Sequence, residues 1–515
     1  MQFTTRHGAL LAGLILMVST ATAQPEPPLK EGKTVREWAE RLQSRDLDEQ
    51  RIAALSLSKL GRESLGALKE LRGALSAKDN AVRFYAMRAI ANGGPAAKAA
   101  IPDIVRIVEE DHPLLARPAA LSLAQLGKDV VAPASKLLDH PNPRIRRNAV
   151  LTLGKLGGLA ETAYPAIFKR LTDDESFLVR RRVAESLEQN PINTPAARMA
   201  LVKAIRSDSD PDVAASAALS LGKLGTEALP DLLKLLDDPS ADTRYHAALA
   251  LRQLRSEAVP AVKALAKLLT EQDAELRQAA TRALAAIGEP ALPALMKTLE
   301  DPKPELREGA LIGLTEMGTS ASRALKPILA ALDDKEITVA RQAALALGAI
   351  ADAQGVKPLI KALESRDAVL RSNAAQSLGR LGPAAAEAVP GLAGLLRSGN
   401  REQRDRSALA LLQIGKASRP GLQKLLVEKE PRVRILSLIV LGRLGGSEAV
   451  ADIAARLKDA DVEVQLFAAR ALRELGRDAS SAREALQAAL TATKDPEVRK
   501  EIVEALAAIS SSPKD

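Results

Sequence analysis

Arg117, Arg147 and Arg181 follow one another at near-regular intervals, and Arg182 stands directly beside the last. Brought to one surface, such guanidinium groups form an anion-binding strip, because each offers a planar fork of donors that matches carboxylate or phosphate oxygens. The alternative is a solvated surface neutralised by Asp173, Asp174 and Glu185. Two aromatic pairs, Phe84 with Tyr85 and Tyr245 with His246, are further candidates, since exposed rings serve as anchors for peptides. Leu466 with Phe467 makes a similar pair near the far end. Each of these rings could equally pack on a neighbouring part of the chain.

Residues suited to catalysis are not gathered in this way. The histidines beyond the N-terminus, His112, His140 and His246, are far apart, and the chain has no cysteine, so neither a disulfide nor a thiolate metal site can form. No glycine-rich phosphate loop, GxSxG, HExxH or haem-attachment phrase occurs. No catalytic residue, cofactor or metal ligand is assigned, and the expectation is a binding protein rather than an enzyme.

The elements that must position the arginines are repeats. One phrase, roughly Asp, three residues, Val-Arg, two residues, Ala-Ala, one residue, Ala-Leu-Gly, one residue, Leu-Gly, returns fifteen times between Gln50 and Ser510. With the Arg as position zero, the copies begin at Gln50, Arg83, Ala116, Arg146, Arg180, Ala214, Arg244, Arg277, Arg307, Ala340, Arg371, Arg404, Arg434, Gln465 and Arg499, in steps of 30 to 34 residues. A fixed period of that length marks a supersecondary unit that cannot bury its own apolar face and must stack on the next. Length alone would otherwise point to several domains, because a single core stops growing at about 250–300 residues.

Position seven is Leu in fourteen copies and Ile90 in the other. Together with positions three and ten it forms one face of a helix of period 3.6. Asp, Asn or Ser stands four places before position zero in most copies, as at Asp46, Asp79, Asn142 and Asp210, where it can cap the free amides of a helix start. Pro often follows, as at Pro113, Pro143 and Pro211, and Gly at position eleven closes the helix. A second apolar-periodic stretch, such as Ala166 to Leu171 or Asp231 to Leu236, comes after a short loop. No window alternates with the period of a strand. The fold class is all-α, an α-solenoid of about fifteen helical hairpins over 34–510. The arginine at position zero reads as structural, bridging to a loop carboxylate or carbonyl and setting the register between repeats.

Phrases such as Arg147 to Gly157, Arg371 to Gly382 and Arg434 to Gly445 resemble HEAT repeats of the short kind also found in bilin lyases. The resemblance covers nearly all of the repeated region. It implies that the arginine-bearing helices line the concave wall of a superhelix, where positions one, two and nine carry recognition. The expected role is a scaffold that binds a protein or peptide partner with an acidic surface. A lyase or isomerase built on the same array is the alternative, followed by a nucleic-acid binder, although stacking platforms for bases are few.

The charge is mixed, 73 basic against 64 acidic residues for a formal +9, without a run of five or six like charges. At the N-terminus a basic start at Arg6 and His7, an apolar run from Ala9 to Val18 and small residues at Ala21 to Ala23 read as a cleavable export signal. The ten apolar residues are too few to span a bilayer. The expected organisation is a signal peptide at 1–23, a Pro-rich linker at 24–33, the repeats, and a disordered tail at 511–515, in a periplasmic or secreted protein.

Overall fold

A computed structural model describes residues 33–510. The expected signal peptide, all but the last residue of the linker, and the expected tail lie outside the described residues. Two compact units divide the chain, one ending at Leu224 and the other beginning at Gly225. Every regular element among the described residues is helical.

The first unit contains α1 (Val35–Arg41), α2 (Leu47–Lys59), α3 (Leu68–Ala74), α4 (Asn80–Asn92), α5 (Ile101–Glu109), α6 (Ala116–Gln125), α7 (Val131–Leu137), α8 (Pro143–Leu156), α9 (Tyr164–Asp173), α10 (Phe177–Gln189), α11 (Pro195–Ser207) and α12 (Pro211–Gly222). The even-numbered helices carry the repeated phrase and pack in succession, α2 on α4 through to α10 on α12. The second unit keeps the alternation, from Leu229–Leu236 and Ala241–Leu254 to Arg483–Ala492 and Pro496–Ser510.

The helix starts follow from the capping residues. Asp79 accepts from the amides of Ala81 and Val82, Asn142 from Arg144, and Asp210 from Asp212 and Val213. Pro143 and Pro211 then open their helices, where a missing amide hydrogen costs nothing. Pro113 departs from this pattern. His112 stands in the capping place there, but its Nδ1 accepts from the Leu114 amide within the turn, and α6 begins only at Ala116 without a side-chain cap, so Pro113 stays in the turn before it.

Leucine burial holds the stack together. The position-seven side chains are at most 3 % exposed in fourteen repeats, and the exception, Leu506, is half-buried in the last of the described repeats. Adjacent phrase helices approach closely through small residues. A Cβ on Gly154 would lie 1.8 Å from Oγ of Ser186, and one on Gly348 would lie 2.4 Å from Oγ of Ser377.

The links are more ordered than short loops. Gly61–Ala67, Gly94–Ala100 and Gly157–Ala163 are seven-residue 3-10 helices, and each buries two small residues three apart, such as Ala97 with Ala100. With three residues per turn these side chains eclipse one another and lie on one edge. The position-eleven residue before or within the links has a left-handed backbone, except at Pro191 between α10 and α11. Eleven of these positions are glycines, and the same conformation recurs at Arg255 and Ala351.

Candidate partner-binding surface

Position zero is occupied by structure, not by ligand. Nη1 of Arg146 donates to the carbonyls of His140 and Pro141, both at 2.9 Å, while Nε and Nη2 grip Asp174. Arg180 repeats this on Asp174 O and on Asp208, and Arg307 on the carbonyls of Asp301 and Pro302 and on Asp334. Each guanidinium thus fastens its own loop to a carboxylate at the start of the following repeat. Gln50 and Gln465 make the carbonyl half of the contact through Nε2. The forward partner, 27 or 28 residues downstream in these three cases, was not apparent from the sequence.

With position zero committed to the loop, positions one and two carry the candidate arginines on α6, α8 and α10. Arg117 is exposed, and Arg147, Arg181 and Arg182 are half-buried. Arg182 pairs with Glu185 at 2.9 Å, and Arg181 divides its guanidinium between Glu185 at 3.1 Å and Asp212 at 2.9 Å. Arg117 and Arg147 have no ion-pair partner among the described residues.

Two of the carboxylates expected to neutralise the strip are engaged elsewhere. Asp174 is held by Arg146 and also meets Arg170, and Asp173 pairs with Lys203. Asp212, which sequence reasoning missed, supplies a charge from the next repeat. Four guanidinium groups therefore share two carboxylates. Burial and the positive charges of Arg147, Arg117 and Arg181 push Arg182 below the usual guanidinium range, and Glu185 offsets this in part. Arginine stays protonated under such a shift, so the cost appears as a buried charge short of counter-charge. An arriving anion would relieve it.

Arginines at position one have a different fate where an acidic cap follows them. Arg51 bonds Asp79 at 2.7 Å, and Arg341 bonds Asp367. The cap following Arg117 is the neutral Asn142.

Phe84 stands at position one of α4, the helix before Arg117, and is 36 % exposed. Its ring meets Tyr85 edge to face at 5.4 Å. This places an exposed aromatic at the equivalent position one helix before the basic strip. Tyr245 and His246 make a similar edge contact, but His246 is buried and its ring belongs to the packing. Phe467 is half-buried beneath the guanidinium of Arg470, 5.2 Å from the ring centre. Trp38 is buried at the start of the first unit, with Arg41 and Lys33 over its ring.

Among the described residues no group of His, Asp and Glu could hold a metal ion, and no helix is long and apolar enough to cross a membrane. The sequence profile of HEAT repeats matches residues 101–188, 198–267, 262–345, 325–413 and 450–515, more than half of the chain. The chain belongs to the HEAT-repeat family. No curated protein sequence matches it. Similar solved structures include the karyopherin Kap121p bound to the extreme C-terminus of the protein phosphatase Cdc14p, with a TM-score of 0.57 and 13 % identity over 93 % of this chain and 66 % of that one. Kap121p bound to Pho4p gives 0.57 and 14 % over 92 % and 65 %, and Kap95p binding RanGDP gives 0.52 and 13 % over 92 % and 78 %. The chain spans just under two thirds of the length of the Kap121p structures. At these identities the likeness is one of fold, and this HEAT-repeat chain shares an α-solenoid architecture with them.

Proposed function

We propose that this HEAT-repeat protein is a non-catalytic scaffold that binds a protein partner, and that an acidic segment of that partner lies across Arg117, Arg147, Arg181 and Arg182. The observation that carries the reading is the charge imbalance on α6, α8 and α10. Among the described residues Arg117 and Arg147 are without counter-ions, while the adjoining Arg182 is an incompletely compensated, half-buried cation. Phe84, at the same position of α4, offers an apolar anchor for a residue flanking the acidic segment. Binding of protein segments by the Kap121p structures supports a role of this kind for the shared architecture. The arginine-bearing helices form the concave wall in this proposal.

The protein acts after export, in the periplasm or outside the cell, as the N-terminal pattern of Arg6, Ala9 to Val18 and Ala21 to Ala23 supports. Capture with the mature chain, followed by cross-linking and mass spectrometry, tests the assignment. Cross-links concentrated on α6, α8 and α10 support it, and cross-links confined to the odd-numbered helices refute it. Fractionation of producing cells tests the location, for which a wholly cytoplasmic, uncleaved chain is the contrary result.

A further inference from the structure

The rung that arginine makes in ten repeats lacks its arginine at Ala116, Ala214 and Ala340, and beside Ala340 the vacant place opens into a cleft. In most of the repeats that carry it, Nη1 of the position-zero arginine sits on carbonyls of its own loop five or six residues earlier, as Arg244 does on Asp238 and Pro239 and Arg434 on Glu428 and Lys429. The equivalent oxygens before Ala340 belong to Asp334 and Lys335. Neither accepts a hydrogen bond from another described residue. The neighbouring Arg341 does not supply one, because both of its arms are on Asp367.

At the place of the missing side chain lies a cleft of about 490 Å³, against about 160 Å³ beside Arg180 and about 770 Å³ beside Gln50. Its walls include Leu332, Ile337 and Pro358, which suit an aliphatic stem. Glu364 lies at the rim, exposed and without an ion-pair partner among the described residues, whereas Asp333 is already paired with Lys361. At Gln50 the corresponding seat is different, since Gln50 fills the carbonyl contact from within the chain.

We propose that the cleft at Ala340 binds the side chain of an arginine supplied by a protein partner, its guanidinium taking the place on the Asp334 and Lys335 carbonyls that the chain's own arginines take elsewhere. The third edge of the fork then faces Glu364, and the methylenes lie along Leu332 and Ile337. A lysine ammonium is a compact point charge and cannot span two carbonyls and a carboxylate at once. The source of the arginine rests on the protein-partner reading given above. The preference of the cleft for a guanidinium does not.

The test is methyl NMR on the full chain, titrated with N-acetyl-L-arginine amide and, separately, with N-acetyl-L-lysine amide. The arginine probe is expected to give saturable shifts at Ile337 and Leu332, with an apparent affinity at least about fivefold higher than that of the lysine probe. Ala340→Arg, which fills the rung from within, is expected to abolish the shifts and to raise the melting temperature. Glu364→Gln is expected to weaken binding about threefold or more, and it decides the matter should Ala340→Arg fail to fold. Arg117→Glu with Arg147→Glu leaves the titration unchanged, which separates this cleft from the basic strip. Absent shifts, equal shifts from both probes, or binding that survives in folded Ala340→Arg would overturn the proposal.

Discussion

Arg146 and Asp174 meet as a two-point pair, Nε to Oδ2 at 2.8 Å and Nη2 to Oδ1 at 2.7 Å, with side chains only 5 % and 0 % exposed. The pair joins one repeat to the next, and Nη1 of the same arginine ties down the loop before α8. Removing the carboxylate leaves a buried cation with only the exposed Glu175, 3.3 Å away, as an ionic partner, and breaking a buried pair in this way costs about 3–5 kcal/mol. Asp174→Ala is therefore expected to lower the stability of the first unit by that amount in denaturant unfolding. A loss below about 1 kcal/mol contradicts the role given to the ladder.

Leu221 and Leu347 sit at position seven in different units, both at most 1 % exposed. Leu→Ala at either site is expected to cost about 2–5 kcal/mol. Each repeat depends on its neighbours, so opening begins locally. Limited proteolysis should cut first within one repeat of the substitution, and an unchanged digestion pattern is the opposing result.

Asp367 is held down to about 2 from its ordinary 3.8, chiefly by the hydrogen bond from Arg341. A carboxyl with a lowered folded pKa stabilises the protein above its unfolded value and loses that contribution as the pH falls toward the folded value. The stability difference between wild type and Asp367→Asn should be level above about pH 5 and shrink between about pH 4 and pH 2. A difference that stays constant across that acid range refutes the pairing.

Ala351 adopts φ 60° at the place where most repeats have glycine. A side chain in the left-handed region costs about 1–2 kcal/mol relative to glycine, part of which the greater freedom of unfolded glycine returns. Ala351→Gly is expected to raise stability by about 0.5–1 kcal/mol in thermal or denaturant unfolding. Destabilisation would show that the close of that helix is set by something other than backbone strain.

The repeat period and the leucine face made the helical hairpins legible in the sequence, and Asp79, Asn142 and Asp210 marked the helix starts. The 3-10 links were not legible, because Ala97 and Ala100 in a run of small residues look like a loop until the three-residue turn aligns them. Their shared position in the phrase placed Arg117, Arg147 and Arg181 in successive repeats, and the shift of Arg182, caused first by burial, reflects all three. Which carboxylates neutralise them depends on stacking. Asp174 turns inward to Arg146, whereas Asp212 reaches back from the next repeat to Arg181, and neither is a near neighbour in sequence. The exposure of Phe84 and the burial of His246 were equally hidden, since both occupy recognition positions of the phrase, one and two, and what packs beside each is set by the stack.

The most direct test of the account is the affinity of the captured partner for wild type and for the Arg117→Glu, Arg147→Glu double variant. Neither arginine has an ion pair to lose among the described residues, so the fold and melting temperature should be retained while Kd rises at least about tenfold at physiological salt, with the difference narrowing as salt is added. An unchanged Kd in a folded double variant would contradict the claim that these arginines receive the partner.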